Sequence, residues 1–266
     1  SNKTKPTQAI KASAVSHWDI EIDVAVVGFG GAGACAAIEA FDAGAEVAIF
    51  ELASAAGGST ALSGADIYMG GDGGTRVQQA CGFEDSNEDM FNYLMAANGP
   101  QADEAKIRHY VESSIDHFNW LVDKGVPYKD TIVKERVVMP LTDDCLIYSG
   151  SEKAYPFNTV SKPAPRGHNP AIEGDKGGAL LMEVLQKNIE QRAIRVEFDA
   201  RVLTLVFEDG EVHGLVVRID QKEIVVRTRK GVVLCAGGFV MNEKMLKQYA
   251  PDLMRCTYPN GSPGDN

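Results

Sequence analysis

The strongest structural signal in this sequence is the segment Ile22-Asp23-Val24-Ala25-Val26-Val27-Gly28-Phe29-Gly30-Gly31-Ala32-Gly33. Its opening residues, mostly small or β-branched and apolar, predict a buried strand. The small residues from Ala34 to Ala43 predict a helix that ends at Gly44, and 46–50 predicts a second strand. The segment therefore begins a β-α-β unit whose first turn is rich in glycine.

The spacing Gly28-x-Gly30-x-x-Gly33 predicts a site for the pyrophosphate of a dinucleotide. Gly28 permits the tight turn, Gly30 lets the backbone approach the pyrophosphate, and Gly33 lets the helix pack close to the strand. The helix N-terminus adds N–H groups and a partial positive charge. Glu51, directly after the second strand, can accept hydrogen bonds from ribose hydroxyls and would repel the 2′-phosphate of NADP.

A second glycine-rich segment, Gly57-Gly58-Ser59-Thr60-Ala61-Leu62-Ser63-Gly64-Ala65, follows the acidic residue. Its small side chains and backbone donors can pass close to a flat ring system and hydrogen-bond its polar edge. The wider glycine-rich stretch 57–74 has a second interpretation as a linker. Its position directly after a strand favours a cofactor loop.

Further along the chain, periodicity and turn residues predict more helices and strands. Helices are expected over 86–97, 103–124 and 178–193, alternating strands over 201–207, 211–219 and 223–229, and a last buried strand over 232–236. Asp209-Gly210 is typical of a hairpin turn, whereas the proline-rich segment 126–176 shows little periodicity. The predicted fold class is α/β: a Rossmann-like dinucleotide-binding domain with a central parallel sheet and an added three-stranded antiparallel β-meander.

Composition and charge narrow the range of partners. The net charge of −11 and the pI of about 5.0 argue against nucleic acid and an anionic membrane surface. The five cysteines show no CxxC spacing, which is typical of a reduced, cytoplasmic chain. No apolar run reaches the roughly 18 residues of a transmembrane helix. No group of His, Cys and carboxylate residues has metal-ligand spacing, so no metal is predicted.

The motifs of the chain stand in a fixed order. They are Asp23 to Gly33, Glu51, Gly57-Gly58-Ser59-Thr60-x-x-Ser63-Gly64, Arg166-x-His168-x-Pro170, Gly177-Gly178, Ala200-Arg201-Val202-x-x-Leu205 and Ala236-Gly237-Gly238-Phe239-x-x-Asn242. In combination they resemble the family of FAD-dependent fumarate reductases and 3-ketosteroid dehydrogenases, and most closely its 3-ketosteroid dehydrogenase-like members. The resemblance runs from about Asp19 to Asn266.

The resemblance implies FAD as the cofactor. It implies a non-covalent attachment, because the position at which some members join FAD to a histidine is Ser59 here. Gly30, Gly31 and Ala32 would then lie at the pyrophosphate, and Glu51 would bind the adenosine ribose. The full set of implied cofactor-binding residues is Gly28, Gly30, Gly31, Ala32, Gly33, Glu51, Leu52, Gly57, Gly58, Ser59, Thr60, Ser63, Gly64, Ala65, Asp66, Val202, Ala236, Gly237, Gly238 and Asp265.

One departure from the family pattern concerns an acidic residue beside the expected flavin loop. The family often has two glycines after the serine, where this chain has Gly64-Ala65-Asp66. The carboxylate of Asp66 either changes the flavin potential or points to solvent, and the second interpretation is favoured.

A second departure concerns the proline-rich segment. A basic residue often follows the histidine in the family, whereas Asn169 follows His168 here. This weakens a role for Arg166 and His168 in binding a carboxylate substrate. A structural role, in which both residues hold the proline-rich segment, is favoured.

The resemblance implies a flavin-dependent oxidoreductase acting on CH–CH groups, which dehydrogenates a 3-ketosteroid ring with hydride transfer to flavin N5. Its expected partners are a small apolar ketone, such as a steroid, and an external electron acceptor. The alternatives are a fumarate or enoate reductase and a non-catalytic FAD-binding fragment. The expected division is a tail over 1–18 and an FAD-binding domain over 19–266. The catalytic residues stay unassigned and are expected beyond Asn266, with a substrate-capping domain.

Overall fold

The computed structural model of the protein describes residues 8–135, 137, 140–256 and 261. The chain forms two compact units. The first unit is discontinuous and combines Ser1–Leu62 with Leu185–Asn266, whereas the second is the continuous segment Ser63–Val184. The helices and strands of the described residues confirm the predicted α/β fold class.

The bounds of the elements follow the chain. The strands are β1 (Ile20–Val27), β2 (Val47–Phe50), β3 (Ile67–Tyr68), β4 (Leu146–Ile147), β5 (Gly167–His168), β6 (Arg195–Glu197), β7 (Arg201–Glu208), β8 (Glu211–Ile219) and β9 (Lys222–Leu234). The α-helices are α1 (Gly31–Asp42), α2 (Gly58–Ala61), α3 (Arg76–Ala80), α4 (Asn87–Asn98), α5 (Glu104–Glu112), α6 (Ser114–Asp123), α7 (Phe157–Val160), α8 (Gly177–Gln191) and α9 (Glu243–Tyr249). Short 3-10 helices cover Ala12–Ala14, Gly99–Gln101 and Pro251–Arg255.

The first unit is built on a six-stranded sheet with the order β6-β2-β1-β9-β8-β7. β6, β2, β1 and β9 are parallel to one another, and β9, β8 and β7 form the antiparallel meander. Buried apolar side chains from both parts form one core, which includes Ile22, Phe50, Leu215 and Val226. The meander is therefore continuous with the parallel sheet.

The prediction of separate strands over 223–229 and 232–236 was wrong, because β9 runs without interruption from Lys222 to Leu234. Its first half pairs antiparallel with β8, and it pairs parallel with β1 as far as Leu234. The register with β1 shifts by a bulge, and Gly231 there has a φ of 151°. Lys230 and Gly231 resemble a turn in the sequence, but pairing with β1 carries the strand through them.

The β7–β8 hairpin and the strand β6, both in the first unit, differ in how well the sequence predicts them. The β7–β8 hairpin has the predicted turn, in which Asp209 and Gly210 both adopt positive φ values of 53° and 86°. The strand β6, by contrast, was not predicted. It has a single apolar residue, Val196, and exists because its backbone pairs with β2.

The second unit contains the small antiparallel sheet β3-β5-β4 and the helices α3 to α7. Helix α4 begins at the predicted cap, since the Ser86 side chain accepts a hydrogen bond from the N–H of Asp89. Met90, Phe91 and Val111 form a buried apolar cluster between α4 and α5.

The prediction of one long helix over 103–124 was wrong, because α5 ends at Glu112 and α6 begins at Ser114. Ser113 lies between them with a φ of −94° and a ψ of 0°. Adjacent serines favour such a break, since their hydroxyls hydrogen-bond outside the helix. The buried Ser114 hydroxyl accepts a hydrogen bond from the N–H of Gly70 at 3.0 Å.

All five cysteines are free thiols, namely Cys35, Cys81, Cys145, Cys235 and Cys256. Among the helices of the described residues, none combines the length and the apolar character needed to cross a bilayer.

Candidate dinucleotide-binding site

The turn between β1 and α1 can be built only from glycine at two of its positions. Gly28 has a φ of 102°, and a Cβ there would overlap the carbonyl oxygen of Cys235. A Cβ on Gly33 would overlap the carbonyl oxygen of Gly28. The first glycine thus permits the turn and the last permits close packing of the helix on the strand, as the sequence predicts.

Gly30 differs from these two glycines, because the protein itself leaves room for a side chain there. Its φ of −88° and ψ of −170° suit any residue. A Cβ would find its nearest neighbours, Gly57 O and Thr60 Oγ1, at 3.8 Å. Packing within the protein therefore does not require a glycine, whereas close approach of a ligand to this backbone does.

Helix α1 begins directly after Gly30. It is 12 residues long and has no side-chain cap, since its N-cap residue is Gly30. The first N–H groups of an α-helix have no carbonyl partner within the helix itself. The N–H of Gly31 donates to Thr60 Oγ1 at 3.1 Å. The N-terminus of the helix combines backbone N–H groups with the positive pole of the helix dipole, which suits a pyrophosphate.

The second glycine segment is tied to the first. The N–H of Gly57 donates to the carbonyl oxygen of Phe29 at 2.9 Å. A Cβ on Gly58 would stand 3.4 Å from the Cα of Gly30. Both loop glycines have positive φ values, 142° and 51°. The second glycine segment thus places backbone and small side chains, from 57 to 60, beside Gly30.

Glu51 is held at the end of β2 by the backbone around it. One carboxylate oxygen accepts the N–H of Phe29 at 2.6 Å, and the other accepts the N–H of Ala53 at 2.8 Å. Each carboxylate oxygen can accept a further hydrogen bond. The side chain therefore stands beside the glycine turn with acceptor capacity left for ribose hydroxyls.

The other predicted residues of the first unit belong to β7 and to the segment after β9. Val202 is in β7, and the preceding Ala200 donates its N–H to the carbonyl oxygen of Glu51 at 2.9 Å. Ala236, Gly237 and Gly238 follow β9, and Gly237 has a φ of 81°. Asp265 lies outside the described residues.

Ser63, Gly64, Ala65 and Asp66 belong to the second unit. The carbonyl oxygen of Ser63 accepts the N–H of Gly178 at 2.8 Å. Ala65 has a φ of 51°, which is unusual for a residue with a side chain. The start of the second unit therefore keeps a backbone shape that favours glycine.

Asp66 is an exposed residue whose carboxyl lies over the backbone of Gly167. Loss of hydration nevertheless raises the pKa of this carboxyl from 3.8 to about 6, against the effect of hydrogen bonds from Ser149 and Asn169. A carboxyl with this pKa is partly protonated near neutral pH.

Arg166 and His168 hold the proline-rich segment. Arg166 is fully buried, and its guanidinium binds both carboxylate oxygens of Asp85 at 2.6 and 2.7 Å. The Nδ1–H of His168 donates to the carbonyl oxygen of Arg166, and Nε2 accepts the hydroxyl of Thr75 at 2.7 Å. Burial lowers the pKa of His168 to about 4, so its ring is neutral. The geometry agrees with the structural role that the sequence favoured.

The partners of these two side chains were not predicted from the sequence. Asp85 and Thr75 both stand outside every motif. The one local signal was at Thr75, which forms a capping box with Gln78 at the start of α3.

A parallel β-α-β unit with a glycine turn, an uncapped helix N-terminus and an acidic residue after the second strand defines a dinucleotide-binding domain. Residues 23–265 match the family of FAD binding domains, and the chain belongs to that family. FAD is therefore the cofactor of this domain.

Two relatives are similar to this chain over most of its length. The chain is 37% identical over 209 residues to a 3-oxo-5-alpha-steroid 4-dehydrogenase of Comamonas testosteroni, covering 76% of this chain and 38% of that protein. It is 30% identical over 231 residues to an NADH:fumarate oxidoreductase of Klebsiella pneumoniae, covering 87% and 22%.

A solved structure is similar over nearly the whole chain. It is the 3-ketosteroid-delta4-(5alpha)-dehydrogenase of Rhodococcus jostii RHA1 in complex with 4-androstene-3,17-dione, at 47% identity and a TM-score of 0.92. The match covers 97% of this chain and 54% of that one. The chain thus spans about half the length of this relative, and less of the two curated ones.

Proposed function

We propose that this chain is the FAD-binding part of a flavin-dependent oxidoreductase that dehydrogenates a 3-ketosteroid ring and passes the electrons to an external acceptor. The observation that carries the proposal is the likeness to the Rhodococcus jostii dehydrogenase, at 47% identity over 97% of this chain. The Comamonas testosteroni relative supports the same class of substrate, a small apolar ketone.

In this proposal the first unit holds the cofactor. The backbone around Gly30 and Gly58 and the N-terminus of α1 bind the pyrophosphate, and Glu51 accepts hydrogen bonds from the ribose. FAD, when bound, supplies the hydride acceptor for the oxidation of a carbon–carbon bond. Ser59 offers no ring nitrogen for a covalent link, so the cofactor is held non-covalently. The division at 18/19 stays a prediction, as do the cofactor contacts of the predicted residues.

A fumarate or enoate reductase is the second candidate, and the Klebsiella pneumoniae relative favours it. Such an enzyme needs cations that bind the carboxylates of its substrate. In the second unit, Arg166 is fully buried and already engaged by Asp85, and His168 is buried and neutral. Neither side chain is available to a dicarboxylate, which supports the steroid proposal.

Anaerobic reduction of the flavin tests the proposal. The FAD-loaded full-length protein is mixed with a 5α-reduced 3-ketosteroid and, separately, with fumarate and a reduced dye. The expected result is bleaching of the flavin absorbance by the steroid. Dye oxidation by fumarate without bleaching by the steroid would overturn the proposal. A yellow protein that responds to neither would support the remaining alternative, a non-catalytic FAD-binding fragment.

A further inference from the structure

We infer that the second unit contains a binding site for a single water molecule, formed by the side chain of Asn169 and the N-terminus of α8. In this site the water donates a hydrogen bond to Asn169 Oδ1 and accepts one from the N–H of Gly177. The inference goes beyond the proposed function and does not depend on it.

The site is a small cavity in the second unit. Its lining includes Asn169 and Gly177, together with Gly64, Pro140 and Pro170. The cavity has a volume of about 10 Å³. A volume of roughly 10–15 Å³ is the least that holds one water molecule. The space therefore suits a water molecule rather than an organic ligand.

Asn169 contributes a hydrogen-bond acceptor that the protein does not use. The residue is 3% exposed, and its Oδ1 has no hydrogen-bond partner among the described residues. Its Nδ2 donates to Asp66 Oδ1 at 3.4 Å, which leaves the amide oxygen for the cavity. Pro140 and Pro170 line the cavity but have no N–H group to offer. Because buried polar atoms are bonded to protein or to ordered water, Oδ1 requires a donor from outside the chain.

Helix α8 contributes a donor. Its first N–H bond to a carbonyl of the same segment is that of Leu180 to Lys176 O, at 3.0 Å, so the N–H groups of 177–179 precede the helical pattern. The N–H of Gly178 is satisfied by Ser63 O at 2.8 Å. Gly177 lines the cavity, and a Cβ there would overlap the carbonyl oxygen of Gly64. The first turn of the helix therefore packs on this carbonyl and brings the N–H of Gly177 to the cavity.

The two polar groups together select water. The amide oxygen of Asn169 needs a ligand that donates, whereas the N–H of Gly177 needs one that accepts. An anion accepts but does not donate, and the amide oxygen would repel it. A cation has no lone pair for the N–H, and the positive pole of the 15-residue helix disfavours it. A water molecule donates and accepts at once, and its hydrogen bonds are nearly as favourable as direct ones.

The first test is a high-resolution crystal structure of the FAD-loaded full-length protein. We expect one water molecule at about 2.7–3.2 Å from both Asn169 Oδ1 and Gly177 N, the ordinary length of such hydrogen bonds. Asn169→Leu should lack this water, since its side chain offers no acceptor. A water that remains in Asn169→Leu, or an Asn169 Oδ1 that binds a protein donor instead, would overturn the inference.

The second test is urea unfolding of the same protein and its variants. If water bridges the two groups, Asn169→Leu loses the bridge and leaves an N–H without a partner, so the unfolding constant should rise about tenfold. If no water binds, leucine replaces an unpaired buried oxygen, and the constant stays the same or falls. The sign of the change therefore decides between the two cases. Asn92→Leu, at a half-buried position of α4, is the matched control and should not raise the constant.

A double variant separates the water from the contact between Asn169 and Asp66. Asp66→Ala removes that contact at an exposed position. In this background Asn169→Leu should again raise the unfolding constant about tenfold. An increase that disappears in the Asp66→Ala background would assign the effect to the hydrogen bond with Asp66 and overturn the water site.

Discussion

The carbonyl oxygen of Gly28 occupies the place where a Cβ of Gly33 would stand. This relationship joins the end of β1 to the first turn of α1 and fixes the direction in which the helix leaves the strand. Gly30, between them, is free of such a restraint, with 3.8 Å to its nearest neighbours. The motif thus contains glycines that the fold requires and one, Gly30, that packing within the protein does not require.

The first prediction contrasts two alanine substitutions in this turn. We expect Gly33→Ala to prevent a folded first unit, because its methyl group overlaps backbone. Gly30→Ala should fold with a melting temperature within a few degrees of the original and lose FAD, because its methyl group fills the space for the pyrophosphate. Melting temperature and flavin content of the purified proteins measure both. Full flavin in Gly30→Ala would refute the placement of the pyrophosphate.

The second prediction concerns Glu51. Glu51→Ala removes the acceptor for the N–H groups of Phe29 and Ala53 as well as for the ribose. Hydrogen bonds to a charged group contribute about 1.5–3 kcal/mol, so FAD affinity should fall by about tenfold to a hundredfold. Glu51→Gln keeps one acceptor oxygen and should lose less. Quenching of flavin fluorescence on binding to the apoprotein gives the affinities, and equal values for all three proteins would contradict the assignment.

The third prediction concerns the buried ion pair of the second unit. Arg166→Met leaves the carboxylate of Asp85 buried without its cation, which should lower the free energy of unfolding by about 3–5 kcal/mol. Lys106→Met, in the exposed pair with Asp103, is the control and should cost less than about 1 kcal/mol. Urea unfolding at neutral pH compares them, and similar losses for both variants would argue against the structural role of Arg166.

The fourth prediction concerns the pH dependence of stability. Burial lowers the pKa of His168 from 6.5 to about 4, so between these values the unfolded chain binds a proton that the folded chain does not. Stability is therefore complete above pH 6.5 and should fall by up to about 3 kcal/mol as the pH drops to 4. His168→Gln should remove this part of the pH dependence, whereas His109→Gln, at an exposed position of α5, should keep it. Urea unfolding from pH 4 to pH 7 provides the test.

Part of the fold could be predicted from residues that are close together in the chain. The turn at Gly28, the helix after it and the hairpin at Asp209-Gly210 depend on residues close together in the chain, and all three were predicted. The continuity of β9 was not predicted, because it depends on pairing with β1, where Val24 pairs with Gly231. When a strand forms because it pairs with a distant part of the chain, its own residues give only a weak strand signal in the sequence.

The polar contacts of the second unit could not be predicted from the sequence for the same reason. The family motif marked Arg166, but the carboxylate that binds it stands 81 positions earlier in the chain. Asp66 was recognised as a departure from the family pattern, but the sequence did not predict that its carboxyl lies over the backbone of Gly167. The surroundings of such side chains depend on contacts between residues that are far apart in the chain, and a single sequence does not reveal these contacts.

The position of β9 in the sheet also bears on the order in which the protein acquires structure during synthesis. β1 lies between β2 and β9, so its pairing is incomplete until the ribosome has released Leu234. By then the continuous second unit, Ser63–Val184, has already left the exit tunnel. β1 is thus synthesised before the second unit but completes its pairing after it, so its apolar run Val24 to Val27 lacks one of its two neighbouring strands in the meantime.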